Sequence, residues 1–371
     1  MSIIIISVIF AFIIFLLLIF EIKFIRKISK YLAPVCGFFI LFIILGKATF
    51  NNDWIAYKEL FEGIKPTYDL IYSTLFKIFR LNGFEFKDFY FFNQIIIFLS
   101  LLYFISKFRS ESSLLICLSF LIAAGPNVSI LLRYITAFIF FILSTYELYV
   151  HNNKRRALIL FLISCLTHYS MICMIIFFPF YKLLSTKNVS KILIISSLLL
   201  FSLQNIVYSL MLYSGIGSFE IYIKDSKSSL AGGLLASISY FPWFFIIFLR
   251  HKQLLKSSNT IILNDNNYLF LYRLSIFPVI FILPALQMQI ISYRFIEPFI
   301  FVWATYLCYS MNFSSQYVKL KFTMILIALI MLTAFLKYIL PFLVLGYSEW
   351  IIHYTQILLS NEYRLFDFLI K

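Results

Sequence analysis

Runs of about twenty apolar residues recur from one end of this chain to the other, and nothing else constrains its fold as strongly. Lipid offers the backbone no hydrogen-bond partners, so a spanning segment must satisfy its own N–H and C=O groups. Only helices and closed barrels do so. The runs are continuous rather than alternating, which excludes a β-barrel. Composition agrees: 62% of residues are hydrophobic and 13% charged, with a mean hydropathy of +0.95, whereas a soluble domain carries roughly 25% charged residues. The expected fold is an all-α polytopic membrane protein forming a single integral membrane domain over residues 1–371. It has about ten transmembrane helices plus a re-entrant helical hairpin and an outer amphipathic helix.

The formal charge of +15 does not indicate a nucleic-acid partner, because most of the excess sits in short loops between spans and sets their orientation. The partner it implies is the lipid bilayer. Cys36, Cys117, Cys165, Cys173 and Cys308 all lie in apolar runs without a CxxC pair, so they read as small buried hydrophobes. Ser2–Phe20 lacks a basic leader and a small-residue cleavage site, so it is expected to be a span, not a signal peptide.

Basic residues fix the topology. Lys23, Arg26, Lys27 and Lys30 mark the cytoplasmic side, as do Lys107 and Arg109, the HNNKRR loop ending in Arg156, the Arg250–Lys256 stretch, and Lys319 with Lys321. Residues 47–87 then form an outer loop. Within it Leu70, Ile71, Leu75, Ile78 and Phe79 recur at helical spacing, with Lys77 and Arg80 opposite, which predicts an interfacial amphipathic helix starting near Pro66 and Asp69. The tail at 341–371 is expected outside. Residues 157–181 are flanked by Lys154, Arg155 and Arg156 on one side and by Lys182, Lys187 and Lys191 on the other. One span would put one flank on the wrong side, so a bent hairpin with His168 near its tip is expected.

This topology brings Asp53, Arg133, His168 and Arg294 to the outer side. An ionised side chain at mid-span costs about 2.5–3.5 kcal/mol on insertion scales, so such residues tend to be functional. Guanidinium forks suit phosphate oxygens, and histidine or a carboxylate can accept a proton. Other readings stand beside these. Arg133 could snorkel, His168 could be a core histidine, Asp53 could cap the helix that follows, and Arg294 and Glu297 could form an ion pair along one helix. Arg273 and Lys337 read as snorkelling anchors. No DxD, CxxC or HExxH pattern supports a metal, and no Gly-rich loop supports a nucleotide, so neither metal nor cofactor is expected.

At these positions the chain resembles the EpsG-like, Wzy-type polymerases of bacterial O-antigen and exopolysaccharide. The resemblance rests on four pieces: a D-x-x-x-Y at Asp53 and Tyr57; Arg133 opening a span, with Ala137 after it; a basic turn and short helix ending in H-x-S at His168 and Ser170; and a late span opening SYRFIEPF, with Tyr293 and Arg294. Glu297-Pro298 departs from the apolar or tyrosine-bearing continuation expected there. The resemblance implies a metal-independent membrane glycosyltransferase of the bacterial inner membrane with its site facing the periplasm. Its substrate would be an undecaprenyl-diphosphate-linked oligosaccharide, and it would transfer the growing glycan to the non-reducing end of the next repeat unit. Arg133 and Arg294 would hold the diphosphate. His168, or else Asp53, would take the acceptor proton, with Tyr57, Ser170, Tyr293 and Glu297 in support. A chain-length regulator is a further partner such enzymes allow. An O-antigen ligase or a flippase is the alternative, although the paired interrupted halves common in transporters are absent.

Overall fold

The computed structural model describes residues 54–65, 69–108, 115–117, 119–120, 131–184, 188–213, 233–234, 237–256, 262 and 264–340. Asp53, the first span, and the 341–371 tail lie outside them. The described residues are helical, with no strand among them. Three of their helical stretches are long and apolar enough to cross a membrane: Phe86–Ser106, Asn266–Gln287 and Gln316–Lys337. Several helices present leucine and isoleucine outward, including Leu158, Ile159, Leu162, Ile194, Ile195 and Leu199. That surface would be an aggregation liability in water and belongs in lipid. The chain is a multi-pass membrane protein.

Helices α1 (Trp54–Glu62) and α2 (Leu70–Leu81) precede the span α3 (Phe86–Ser106). Helix α2 has two apolar faces. Tyr72 and Phe76 are buried, packing edge-on against Phe89, and Phe76 also meets Phe61. Leu70 and Ile78, which the periodicity assigns to the apolar side, are 59% and 47% exposed. The helix is therefore pinned to the protein by aromatics while an aliphatic face points away. Its anchor is polar as well: the Tyr72 hydroxyl donates to Asn93 Oδ1 at 2.6 Å and meets Thr136 Oγ1 at 3.2 Å, and Asn93 Nδ2 donates to Thr136 Oγ1 at 3.2 Å. Each buried group in this knot has a partner, which keeps its burial affordable.

Helix α4 (Leu132–Tyr149) and helix α5 (Lys154–Thr167) form an antiparallel pair. Asn152 takes the left-handed conformation at φ 54° in the turn, and the Asn153 side chain caps α5 by accepting from the Arg156 N–H. Two serine hydroxyls set the register: Ser144 donates to the Ala157 carbonyl at 2.7 Å and Ser164 to the Ala137 carbonyl at 2.6 Å. At His168 the backbone is extended, with φ −152° and ψ 114°. The chain then turns back as a 3-10 helix, Tyr169–Ile176, and a short helix α6, Phe177–Leu183. Phe177 returns to the level of Phe141, and Tyr181 stacks on Tyr149 with ring centroids 3.6 Å apart. The segment thus leaves from the basic loop and comes back to it.

Helices α7 (Val189–Tyr213), α8 (Phe241–Lys256), α9 (Asn266–Ile276), α10 (Ile282–Gln287), α11 (Ile300–Ser310) and α12 (Gln316–Ala334) complete the described architecture. Asp265 caps α9 through the Tyr268 N–H and accepts from the Tyr309 hydroxyl. Trp303 donates to the Ser275 carbonyl at 2.8 Å, tying α11 to α9. Arg250, buried in the second half of α8, donates to Ser310 Oγ and O and to Ser314 Oγ, which satisfies the last turn of α11. Arg273 is stacked over Tyr181, with the guanidinium carbon 4.6 Å from the ring centroid, rather than simply reaching for water.

Candidate functional site

The site is built where α4 begins and α5 ends. Arg133 is on the first turn of α4, and its guanidinium lies over the Tyr57 ring of α1, 5.1 Å from the centroid. Its Nη1 is 2.5 Å from Asp69 Oδ2. Asp69 occupies the N-cap position of α2 but makes no capping bond. Instead its carboxylate turns inward and is almost fully buried, with Oδ1 accepting the Tyr169 backbone N–H at 3.2 Å. Burial raises the Asp69 pKa above the ordinary carboxylate value against the pull of Arg133. One carboxylate therefore joins three segments: the start of α2, the start of α4 and the chain just past His168.

His168 is buried, and Tyr134 meets its ring edge-on at 5.5 Å. Its Nδ1 accepts the Ser170 backbone N–H at 3.2 Å and contacts Ser170 Oγ at 2.9 Å. A backbone amide can only donate, so Nδ1 carries a lone pair, and the hydrogen of the neutral ring is on Nε2. In this tautomer His168 offers a donor at Nε2.

Arg294 sits in a π-helical turn, Ser292–Ile296, a local widening that often accompanies function. It is within electrostatic reach of Asp69, His168 and Tyr134, and Phe295 packs 6.0 Å from Tyr134. Arg133, His168 and Arg294 thus converge from separate parts of the sequence, with Tyr57 and Ser170 beside them. Tyr293, within the same turn, is partly buried against the core. Asp53 precedes the described residues, so its place is not part of this geometry. The Tyr134 hydroxyl is buried and has no hydrogen-bond partner.

Glu297 belongs to an adjoining polar group. Its Oε1 is 2.7 Å from Lys337 Nζ, and its Oε2 accepts the Tyr240 hydroxyl at 2.8 Å. Lys337 lies within a second π-helical turn, Phe335–Ile339, and is an internal ion-pair partner, not the snorkelling anchor that its place near a span end suggests. Asp69, Tyr134 and the Tyr169 amide are the site's unforeseen members. Asp69 alone left a signal, as an acid opening an amphipathic helix, and that signal points equally well to a cap. Among the described residues no three His, Cys, Asp or Glu side chains come together.

Comparison with known proteins adds one finding. The model of the EpsG family matches residues 30–348, which is most of the chain and spans every residue of the site. Neither the curated proteins nor the solved structures contain a match.

Proposed function

Since the chain belongs to the EpsG family, a Wzy-like polymerase family, we propose that it polymerises undecaprenyl-diphosphate-linked oligosaccharide repeat units at the periplasmic face of the inner membrane. One observation carries the reading: Arg133 and Arg294, from α4 and the late π turn, and the backbone amide just past His168 converge on the buried Asp69 carboxyl group. Donors that bind the oxygens of a carboxyl group can also bind those of a phosphate.

In the proposed reaction an acceptor hydroxyl attacks the anomeric carbon of the growing chain. The new glycosidic C–O bond forms as the bond from that carbon to the diphosphate oxygen breaks, and the electron pair leaves with undecaprenyl diphosphate. Arg133 and Arg294 neutralise the charge that develops on the leaving group. The tautomer of His168 suits a hydrogen bond from Nε2 to the same oxygens, which moves the proton-accepting role to the other candidate, Asp53. The bent segment 157–181 serves as a re-entrant hairpin that holds His168 at the outer side.

The test is the glycan ladder of a deletion strain complemented with variants. Loss of a polymerase leaves single repeat units on the core lipid. Loss of a ligase strands long chains on the carrier, and loss of a flippase blocks both. Arg133→Lys and Arg294→Lys lack the planar fork and should fall about 10²–10³-fold in polymer yield. Wild-type ladders from both would refute the assignment.

A further inference from the structure

We infer that the Asp69 carboxylate occupies an anion subsite, made by Arg133 Nη1 and the Tyr169 backbone N–H, that a phosphate oxygen of the lipid donor takes over during turnover. The inference rests on the proposed function and names the atoms that its diphosphate would contact.

The geometry is that of a ligand in a site. Asp69 Oδ2 lies 2.5 Å from Arg133 Nη1, and Oδ1 takes the Tyr169 amide at 3.2 Å. These donors come from positions 64 and 100 residues away in the chain. A residue at an N-cap position would ordinarily bond its own helix, yet Asp69 makes no such bond. Its orientation is therefore dictated by the two donors and not by α2. A tetrahedral phosphate presents oxygens with a spacing close to that of a carboxylate and can bridge the same pair of donors.

Charge favours exchange over sharing. Arg133 and Arg294 supply two positive charges, and Asp69 cancels one. A diphosphate diester brings two negative charges, so the site is neutral if Asp69 leaves and carries one excess negative charge if it stays. Like charges crowded in a buried site repel strongly. Asp69 is also a poor permanent occupant, because burial disfavours its ionised form more than Arg133 favours it. The Tyr134 hydroxyl, buried, without a partner and within electrostatic reach of Arg294, is a polar atom available to whatever replaces the carboxylate.

The experiment measures binding of undecaprenyl diphosphate, without sugar, to the full-length protein in nanodiscs. Asp69→Asn removes the competing charge and should bind about tenfold more tightly than wild type. Tyr169→Pro deletes the amide hydrogen at the first position of the 3-10 helix. Its backbone cost is small, because a proline fits there and the extended His168 suits the residue before one. It should bind about tenfold more weakly. Asp69→Asn affinity equal to or below wild type would mean that Asp69 merely braces Arg133, and the subsite would be refuted. Should Asp69→Asn fail to fold by its melting curve, Tyr169→Pro decides alone, and unchanged affinity there refutes the subsite. Arg133→Ala separates the two levels. If it retains both wild-type binding and the polymer ladder, the proposed function falls. If it loses binding while Asp69→Asn binds no more tightly, only the subsite falls.

Discussion

Lys337→Met tests whether the buried pair beside Arg294 holds the site in shape. Lys337 Nζ and Glu297 Oε1 are 2.7 Å apart, and the two side chains are 13% and 1% exposed. Removing one partner of a buried pair costs about 3–5 kcal/mol, because the survivor is left charged in a poor solvent. Glu297 retains at least the Tyr240 hydroxyl on Oε2, which puts Lys337→Met near the lower end, about 3 kcal/mol. An unfolding entropy of about 2.1 cal/mol/K per residue over 371 residues gives about 1.3 °C per kcal/mol, so the melting temperature should drop by roughly 4 °C. Glu297→Gln should cost less, about 1–3 kcal/mol, because Lys337 keeps some access to the surface. The double variant Glu297→Gln with Lys337→Met buries no charge and should recover most of the loss. Thermal melts of a fluorescent fusion in detergent, read by size exclusion, give all four values. Single variants as stable as wild type, or a double variant whose loss is the sum of the two, would refute the argument.

Other expectations follow from the same geometry. His168→Gln places an amide donor near the Nε2 position and should retain measurable polymerisation, while His168→Ala falls by about 10²–10³-fold; equal loss in both would restore a proton-accepting role to the ring. Tyr72→Phe leaves Asn93 and Thr136 short of one partner and should cost about 1–3 kcal/mol in the same melts, without changing the diphosphate affinity of the protein that remains folded. Because the folded-state pKa of Asp69 is raised, the stability it contributes is complete below the ordinary carboxylate range and is lost as pH rises through the raised value. Asp69→Asn should abolish that step in melts taken between pH 3.5 and 7. Polymerisation in washed membranes should survive EDTA, and a requirement for added magnesium or manganese would contradict the metal-free chemistry proposed.

The helical class and the membrane setting were readable because both follow from local composition: apolar runs need no distant information. The neighbours of Arg133 were not. Asp69 lies 64 residues away and Tyr169 contributes a backbone amide, which no pattern of side chains encodes. At α2 the periodicity identified an apolar helix but not which face meets the protein, because Tyr72 and Phe76 bury rings while Leu70 and Ile78 stay outside. Lys337 sits near the end of an apolar run, where the snorkelling rule applies by default, and only its approach to Glu297 from another helix overrides that rule. The expected count of about ten spans relied on loops that lie partly outside the described residues; among the described residues three helices meet the length and hydropathy a crossing needs.

The knot of Tyr72, Asn93 and Thr136 also bears on how the protein is made. Asn93 lies within the span Phe86–Ser106, while its partner Thr136 belongs to a helix synthesised some forty residues later. A ribosome-bound chain cut short of α4 would hold that amide in hydrocarbon with only Tyr72 to receive it. Secure settling of α3 therefore waits for α4, and α2 can seat only once both are in place. The face that carries Asp69 and Arg133 would then be among the last parts of the molecule to mature during biogenesis.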